Sequence, residues 1–142
     1  MAGLPGGDGG GGDGPPEGGM VDLAITFLYY RDLARAQRFY ERVLGLSLAI
    51  DQGWSKIYRI TGGAHVGLVD EARGAHRASA TKPVQLCLRV ADVDAWHAWI
   101  ATQGANGLTE PRSVDSLGIR AFVLEDPEGY RIEVQSATRA GA

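Results

Sequence analysis

Val84-Gln-Leu-Cys-Leu-Arg-Val90 is followed by Asp92 and then by Val93, Trp96, Trp99 and Ile100 at helical spacing, with Gly104 closing the segment. A run of β-forming residues, an acidic N-cap, an apolar helix stripe and a glycine stop make one strand–helix unit. The same order stands sixty residues earlier in Ala24–Tyr30, Asp32, the stripe Leu33, Ala36, Phe39, Tyr40, Val43 and Leu44, and Gly45. A shift of sixty brings Leu28 onto Leu88, Asp32 onto Asp92, Phe39 onto Trp99 and Tyr40 onto Ile100. A match of this length marks a duplicated supersecondary unit.

Strand-like runs follow each helix. The first copy has Leu46–Asp51, Trp54–Ile60 and Ala64–Asp70, with the turn Thr61-Gly-Gly63 between the last two. The second has a weak run near Gly107–Leu108, then Ile119–Leu124 and Tyr130–Gln135, joined by the turn signal Asp126-Pro-Glu-Gly129. Each copy therefore reads β-α-β-β-β, which makes the chain α+β. The expected division is a Gly-rich tail over 1–19, a first module over 20–75 and a second over 76–142. Modules of about sixty residues are marginal alone, so the two must share burial with each other or with a partner chain.

Composition narrows the function classes. The 142 residues carry a net charge of −3, so no electrostatic footprint for nucleic acid or an anionic membrane is expected. No segment reaches the roughly 20 apolar residues of a membrane span. Cys87 is the one cysteine, which excludes an internal disulfide and a cysteine-cluster metal site and suits a reducing cytoplasm. Residues 1–19 hold ten of the 21 glycines and read as disordered. Glu17-Gly-Gly19 is what a purine-rich ribosome-binding site would encode, so the expected start is Met20.

Phe39-Tyr-Glu-Arg-Val-Leu-Gly-Leu46, the strand–Asp–helix openings at Asp32 and Asp92, and Asp126-Pro-Glu-Gly-Tyr-Arg-Ile-Glu-Val134 resemble the vicinal oxygen chelate superfamily. That group includes glyoxalase I, extradiol dioxygenases and bleomycin-resistance proteins, and the resemblance spans Val21–Gln135. It implies two βαβββ modules around a cupped, incompletely closed mixed sheet with helices outside, often completed across a homodimer. It also implies four inward positions that hold a divalent metal in the metal-dependent members. Here those positions carry Ile25, Gly67, Gln85 and Glu133. Ile25 and Gly67 have no donor, and one amide with one carboxylate is a poor set for zinc, nickel or iron. His65 lies two residues before Gly67, so the set that would hold a metal is His65, Gln85 and Glu133. The reading preferred is a cup with no metal or other cofactor.

Period two then assigns the lining. Gln85, Cys87 and Arg89 share one face, as do Arg131, Glu133 and Gln135, while Phe27 and Tyr29 join Ile25. Trp54 and Tyr58 add aromatic surface from the next run. Trp96 and Trp99 are expected in the core, Cys87 as a small buried filler, and His97 on the exposed side of the second helix. An aromatic wall opposite a polar wall with arginines suits a small aromatic or amphipathic ligand bearing an acidic group. The ligand-binding set expected is Phe27, Tyr29, Trp54, Tyr58, His65, Gln85, Arg89, Arg131 and Glu133. The alternative is a glyoxalase-like lyase or isomerase, or a dioxygenase, with a reduced divalent-metal site and Glu133 as the catalytic base.

Overall fold

The computed structural model describes residues 12–16, 18 and 21–142, so the expectations for the tail and for a start at Met20 lie almost wholly outside the described residues. Ten elements follow in order: β1 (Ala24–Tyr30), α1 (Leu33–Arg42), β2 (Ser47–Asp51), β3 (Ser55–Thr61), β4 (Ala64–Asp70), β5 (Gln85–Arg89), α2 (Val93–Ala101), β6 (Arg112–Val114), β7 (Ile119–Glu125) and β8 (Arg131–Ala137). They form two four-stranded mixed sheets of identical topology, β1-β4-β3-β2 and β5-β8-β7-β6. In each, the first strand runs parallel to the last and the remaining pairs are antiparallel.

The helix starts come from the residues that announced them. Asp32 accepts from the amide of Arg35 and Asp92 from that of Ala95, both at 3.0 Å, which satisfies one otherwise open N–H per helix. α1 lies over β4, and α2 over β7 and β8. One strand falls elsewhere than the sequence suggests: β6 is Arg112–Val114, not Gly107–Leu108. Gly107 adopts φ +62° after a lone bridge from Asn106 to Glu125. Thr109 N donates to the Val123 carbonyl at 2.9 Å, and the ladder itself resumes beyond Pro111, across the turn from Asp115 to Gly118.

The helix-side faces of both sheets merge into one core. Leu28, Tyr30, Phe39, Tyr40, Val66 and Leu68 of the first module pack in the same cluster as Val93, Ile100, Phe122, Leu124, Ile132 and Val134 of the second. At its centre is a buried carboxylate. Asp126 accepts from the hydroxyls of Tyr30 and Tyr40 and from the amides of Glu128 and Tyr130. The Tyr130 hydroxyl in turn receives the amide of Tyr29 at 3.0 Å and donates to its carbonyl. Burial outweighs the four donors and raises the Asp126 carboxyl above its ordinary range. The turn signal in Asp126-Pro-Glu-Gly129 was legible; its role as the clasp between modules was not.

Three side chains sit otherwise than expected. Trp99 is half exposed, its ring at the surface while the indole N–H donates to the Val43 carbonyl at the end of α1, 2.9 Å away. Cys87 is exposed because β5 is an edge strand whose cup face carries no further element among the described residues. His97 stacks edge-to-face on Phe122 with its side chain 16% exposed, because α2 rolls that side onto β7.

Candidate functional site

The registers arrange each cup face as a grid. On the first sheet, Ile25, His65 and Arg59 form one row, Phe27, Gly67 and Ile57 the next, and Tyr29, Val69 and Ser55 the third. On the second sheet the rows are Gln85–Arg131–Glu125, Cys87–Glu133–Val123 and Arg89–Gln135–Ala121–Arg112. The polar side chains of β8 thus look away from the helices and onto the cup face, beside those of β5.

Tyr58 does not belong to this surface. It pairs with Val66 on the helix side, is fully buried, and donates to Glu41 on α1 at 2.6 Å. Burial, with the Glu41 carboxylate beside it, pushes its hydroxyl up to about 12. Period two runs through β3 from Ser55, so Tyr58 falls opposite to Ser55 and Ile57. Trp54 precedes the strand and escapes that parity: Gly53, at φ +81° and bonded to the Asp51 carboxylate, turns it back toward the cup face.

The aromatic residues of the first sheet define a half-open pocket. Phe27, Tyr29, Gln52, Trp54, Ser55 and Val69 line a space of about 160 Å³, with Gly74 and Ala75 at its edge. The Phe27 ring lies across Gly67, where a Cβ would stand 2.4 Å from Cδ1. The Gly67 position, one of the two inward positions that lack a donor, is therefore occupied by a neighbour's ring.

The polar face holds a basin of about 520 Å³ lined by Thr109, Glu110, Arg112, Val123, Arg131 and Glu133. Glu133 accepts from the Cys87 thiol at 3.3 Å and from the Gln135 amide at 3.1 Å, and Gln135 accepts from Arg89. Burial and the neighbouring carboxylate raise the Cys87 thiol, which keeps it a protonated donor to Glu133. Neither Arg89 nor Arg131 bonds Glu133 directly: Arg89 reaches it through Gln135. Arg131 makes no hydrogen bond or ion pair to a side chain among the described residues, and Gln85 stands beside it across β5 and β8. Arg112 went unnoticed in the sequence because its strand was placed several residues too early.

His65 is buried, with Nδ1 2.9 Å from the Gly63 carbonyl. It lines a third cavity, about 740 Å³, with Thr26, Leu86, Cys87, Leu88 and Arg89 between the open edges of β1 and β5. Glu133 and Gln85 line other spaces, so His65, Gln85 and Glu133 are not gathered. Among the described residues no three His, Cys, Asp or Glu side chains come close enough to hold a metal ion. Two of the four inward positions have no donor, and the Glu133 carboxylate is engaged by a thiol and an amide. This donor set does not fit a divalent ion.

Two sheets built from paired βαβββ modules, one with an aromatic and one with a polar cup face, define the vicinal oxygen chelate class of fold. The sequence profile of the Glyoxalase/Bleomycin resistance protein/Dioxygenase superfamily matches residues 22–134, and the chain belongs to that superfamily. Among solved structures, it is similar to a lactoylglutathione lyase from Agrobacterium tumefaciens, with 22% identity, coverage of 84% of this chain and 96% of that one, and a TM-score of 0.67. It is also similar to TioX from Micromonospora sp. ML1, at 24% identity, 81% and 98% coverage and a TM-score of 0.66. A protein of unknown function from Agrobacterium tumefaciens str. C58 is 28% identical over 83% of this chain and 94% of that one, with a TM-score of 0.62. No curated protein sequence matches the chain. Likenesses at 22% and 24% identity carry the fold alone.

Proposed function

We propose that this chain is a metal-free small-molecule-binding member of its superfamily, taking a small aromatic or amphipathic ligand with an acidic group. The carrying observation is the state of the inward positions: Ile25 offers hydrocarbon, Gly67 is covered by the Phe27 ring, and Glu133 is held by Cys87 and Gln135. Phe27, Tyr29 and Trp54 supply stacking surface, while Arg131, with Arg89 and Gln85 alongside, supplies charge and hydrogen bonds for an acid. The two faces line separate pockets within one chain. A homodimer that sets the aromatic face of one copy against the polar face of the other completes the cup. A reducing cytoplasm is the setting that suits the exposed thiol.

The test combines metal analysis with binding. Protein purified without chelators or added metal should carry far less than one transition metal per chain, and should bind phenylacetate with an affinity that Arg131→Gln lowers about tenfold. A stoichiometric metal retained through purification would overturn the metal-free reading in favour of the lyase, isomerase or dioxygenase. Phenylacetate binding untouched by Arg131→Gln would remove the polar face from the site.

A further inference from the structure

Within the aromatic pocket one polar group is stranded. Ser55 is 1% exposed, and its Oγ has no hydrogen-bond partner among the described residues, although it lines the space between Phe27, Tyr29 and Trp54. A buried hydroxyl without a partner is costly to maintain, and such groups mark places where a ligand or water completes the bonding. The surrounding walls are held in place. Asp70 N donates to the Trp54 carbonyl at 2.8 Å, and Gly74 N to the Asp70 carbonyl at 2.9 Å. The Arg77 guanidinium straps the same loop through the carbonyls of Glu71 and Gly74. His76 stacks edge-on against Tyr29 with centroids 5.1 Å apart. The loop sits so close that a Cβ on Gly74 would meet Val69 at 2.6 Å and Tyr29 at 2.8 Å. The pocket is therefore preformed.

At about 160 Å³ it has room for one benzene ring, the guest that an enclosed cavity of roughly 150 Å³ accepts, and it stays open to solvent where the Phe27 and Trp54 rings are exposed. The ring would meet the faces and edges of three aromatic side chains, and its periphery would lie beside one hydroxyl that can both donate and accept. A phenolic hydroxyl can meet it in either sense, donating to Ser55 Oγ or accepting from it.

We propose that this pocket is a subsite for a single phenol-class ring, with Ser55 Oγ as its hydrogen-bond anchor. This rests on the reading of the cup faces as a ligand site, and adds to it the kind of ring and the residue that selects it. Ser55 is the specificity-determining residue, singled out by its missing partner and not by any motif around it.

The experiment is an amide and indole chemical-shift titration of the full chain with phenol and toluene, repeated in Ser55→Ala. Phenol and toluene have nearly the same shape, so the ratio of their affinities isolates the hydroxyl. Phenol should move the Ser55, Trp54 and Gly74 signals. The phenol-to-toluene affinity ratio should fall about tenfold in Ser55→Ala, the equivalent of one hydrogen bond. Ser55→Cys, whose thiol bonds weakly, should give an intermediate ratio and serves as the second variant should the alanine chain fold poorly. An affinity ratio unchanged by either substitution overturns the Ser55 subsite while leaving the broader ligand reading standing. If none of these rings, nor phenylacetate, shifts a signal on either sheet face, the broader reading falls with it.

Discussion

Replacing Asp126 with Ala tests whether the two modules are held by the buried carboxylate or merely by apolar contact. The side chain accepts four hydrogen bonds, from the Tyr30 and Tyr40 hydroxyls and from the amides of Glu128 and Tyr130. Each donor left unpaired in the core costs about 1–3 kcal/mol, whereas removing a buried charge returns part of that. The Tyr30 hydroxyl can still donate to that of Tyr40, 3.0 Å away, so the loss is smaller than four separate penalties. The expected destabilisation is about 3–5 kcal/mol, a large share of the 5–15 kcal/mol typical of a domain. Urea unfolding followed by tryptophan fluorescence should show a lower midpoint with the same slope. Asp126→Asn should retain more than half of the stability difference. Its amide oxygen can take the two backbone donors, and its NH2 can donate to tyrosine oxygens that rotate to accept. A loss under 1 kcal/mol in Asp126→Ala would refute the clasp.

The same group gives a pH signature, since burial raises its folded-state value above the ordinary 3.8. The stability tied to its proton is then fully present below about pH 4 and is lost as pH rises through the raised value. Wild type should accordingly lose stability relative to Asp126→Asn over that window, and a parallel pair of pH profiles would contradict the shift. Gly67→Ala should cost about 1–2 kcal/mol through its collision with the Phe27 ring, and Phe27→Ala in the same chain should recover most of it, measured as a double-mutant cycle. Light scattering at micromolar concentration should give a homodimer mass, because Phe27, Leu48, Ile50 and Trp54 are all exposed on one chain. Asp51→Ser at the turn carrying Trp54 removes a carboxylate that receives both Gly53 N and Lys56, and should weaken phenol binding several-fold without changing Tm by more than a few degrees.

Much of the fold was legible because the signals that carry it are local. Asp32 and Asp92 bond to amides three residues on, and a sixty-residue displacement superposes them without knowledge of any tertiary contact. Face parity was legible for the same reason: Phe27 and Tyr29 share a side with Ile25, and Glu133 with Arg131 and Gln135, from chain periodicity alone. Where a local interruption resets the count, the reading slipped. The turn at Gly53 separates Trp54 from the parity of β3 and leaves Tyr58 under α1, and the Gly107 turn delays β6 to Arg112.

What periodicity cannot carry is the relation between sheets, because that depends on which buried groups find partners at long range. Asp126 meets Tyr30 and Tyr40 across separations of 96 and 86 residues. No spacing rule points from Asp-Pro-Glu-Gly to two tyrosines in another module. Ser55 is the converse case: a small polar residue in a β-run reads as filler, and only the missing partner in the folded chain singles it out. Both are buried polar side chains, yet they argue in opposite directions. Asp126 is fully satisfied by the chain and so belongs to its stability. Ser55 is left unsatisfied by the chain and so points outward, to a bonding partner the fold does not itself supply.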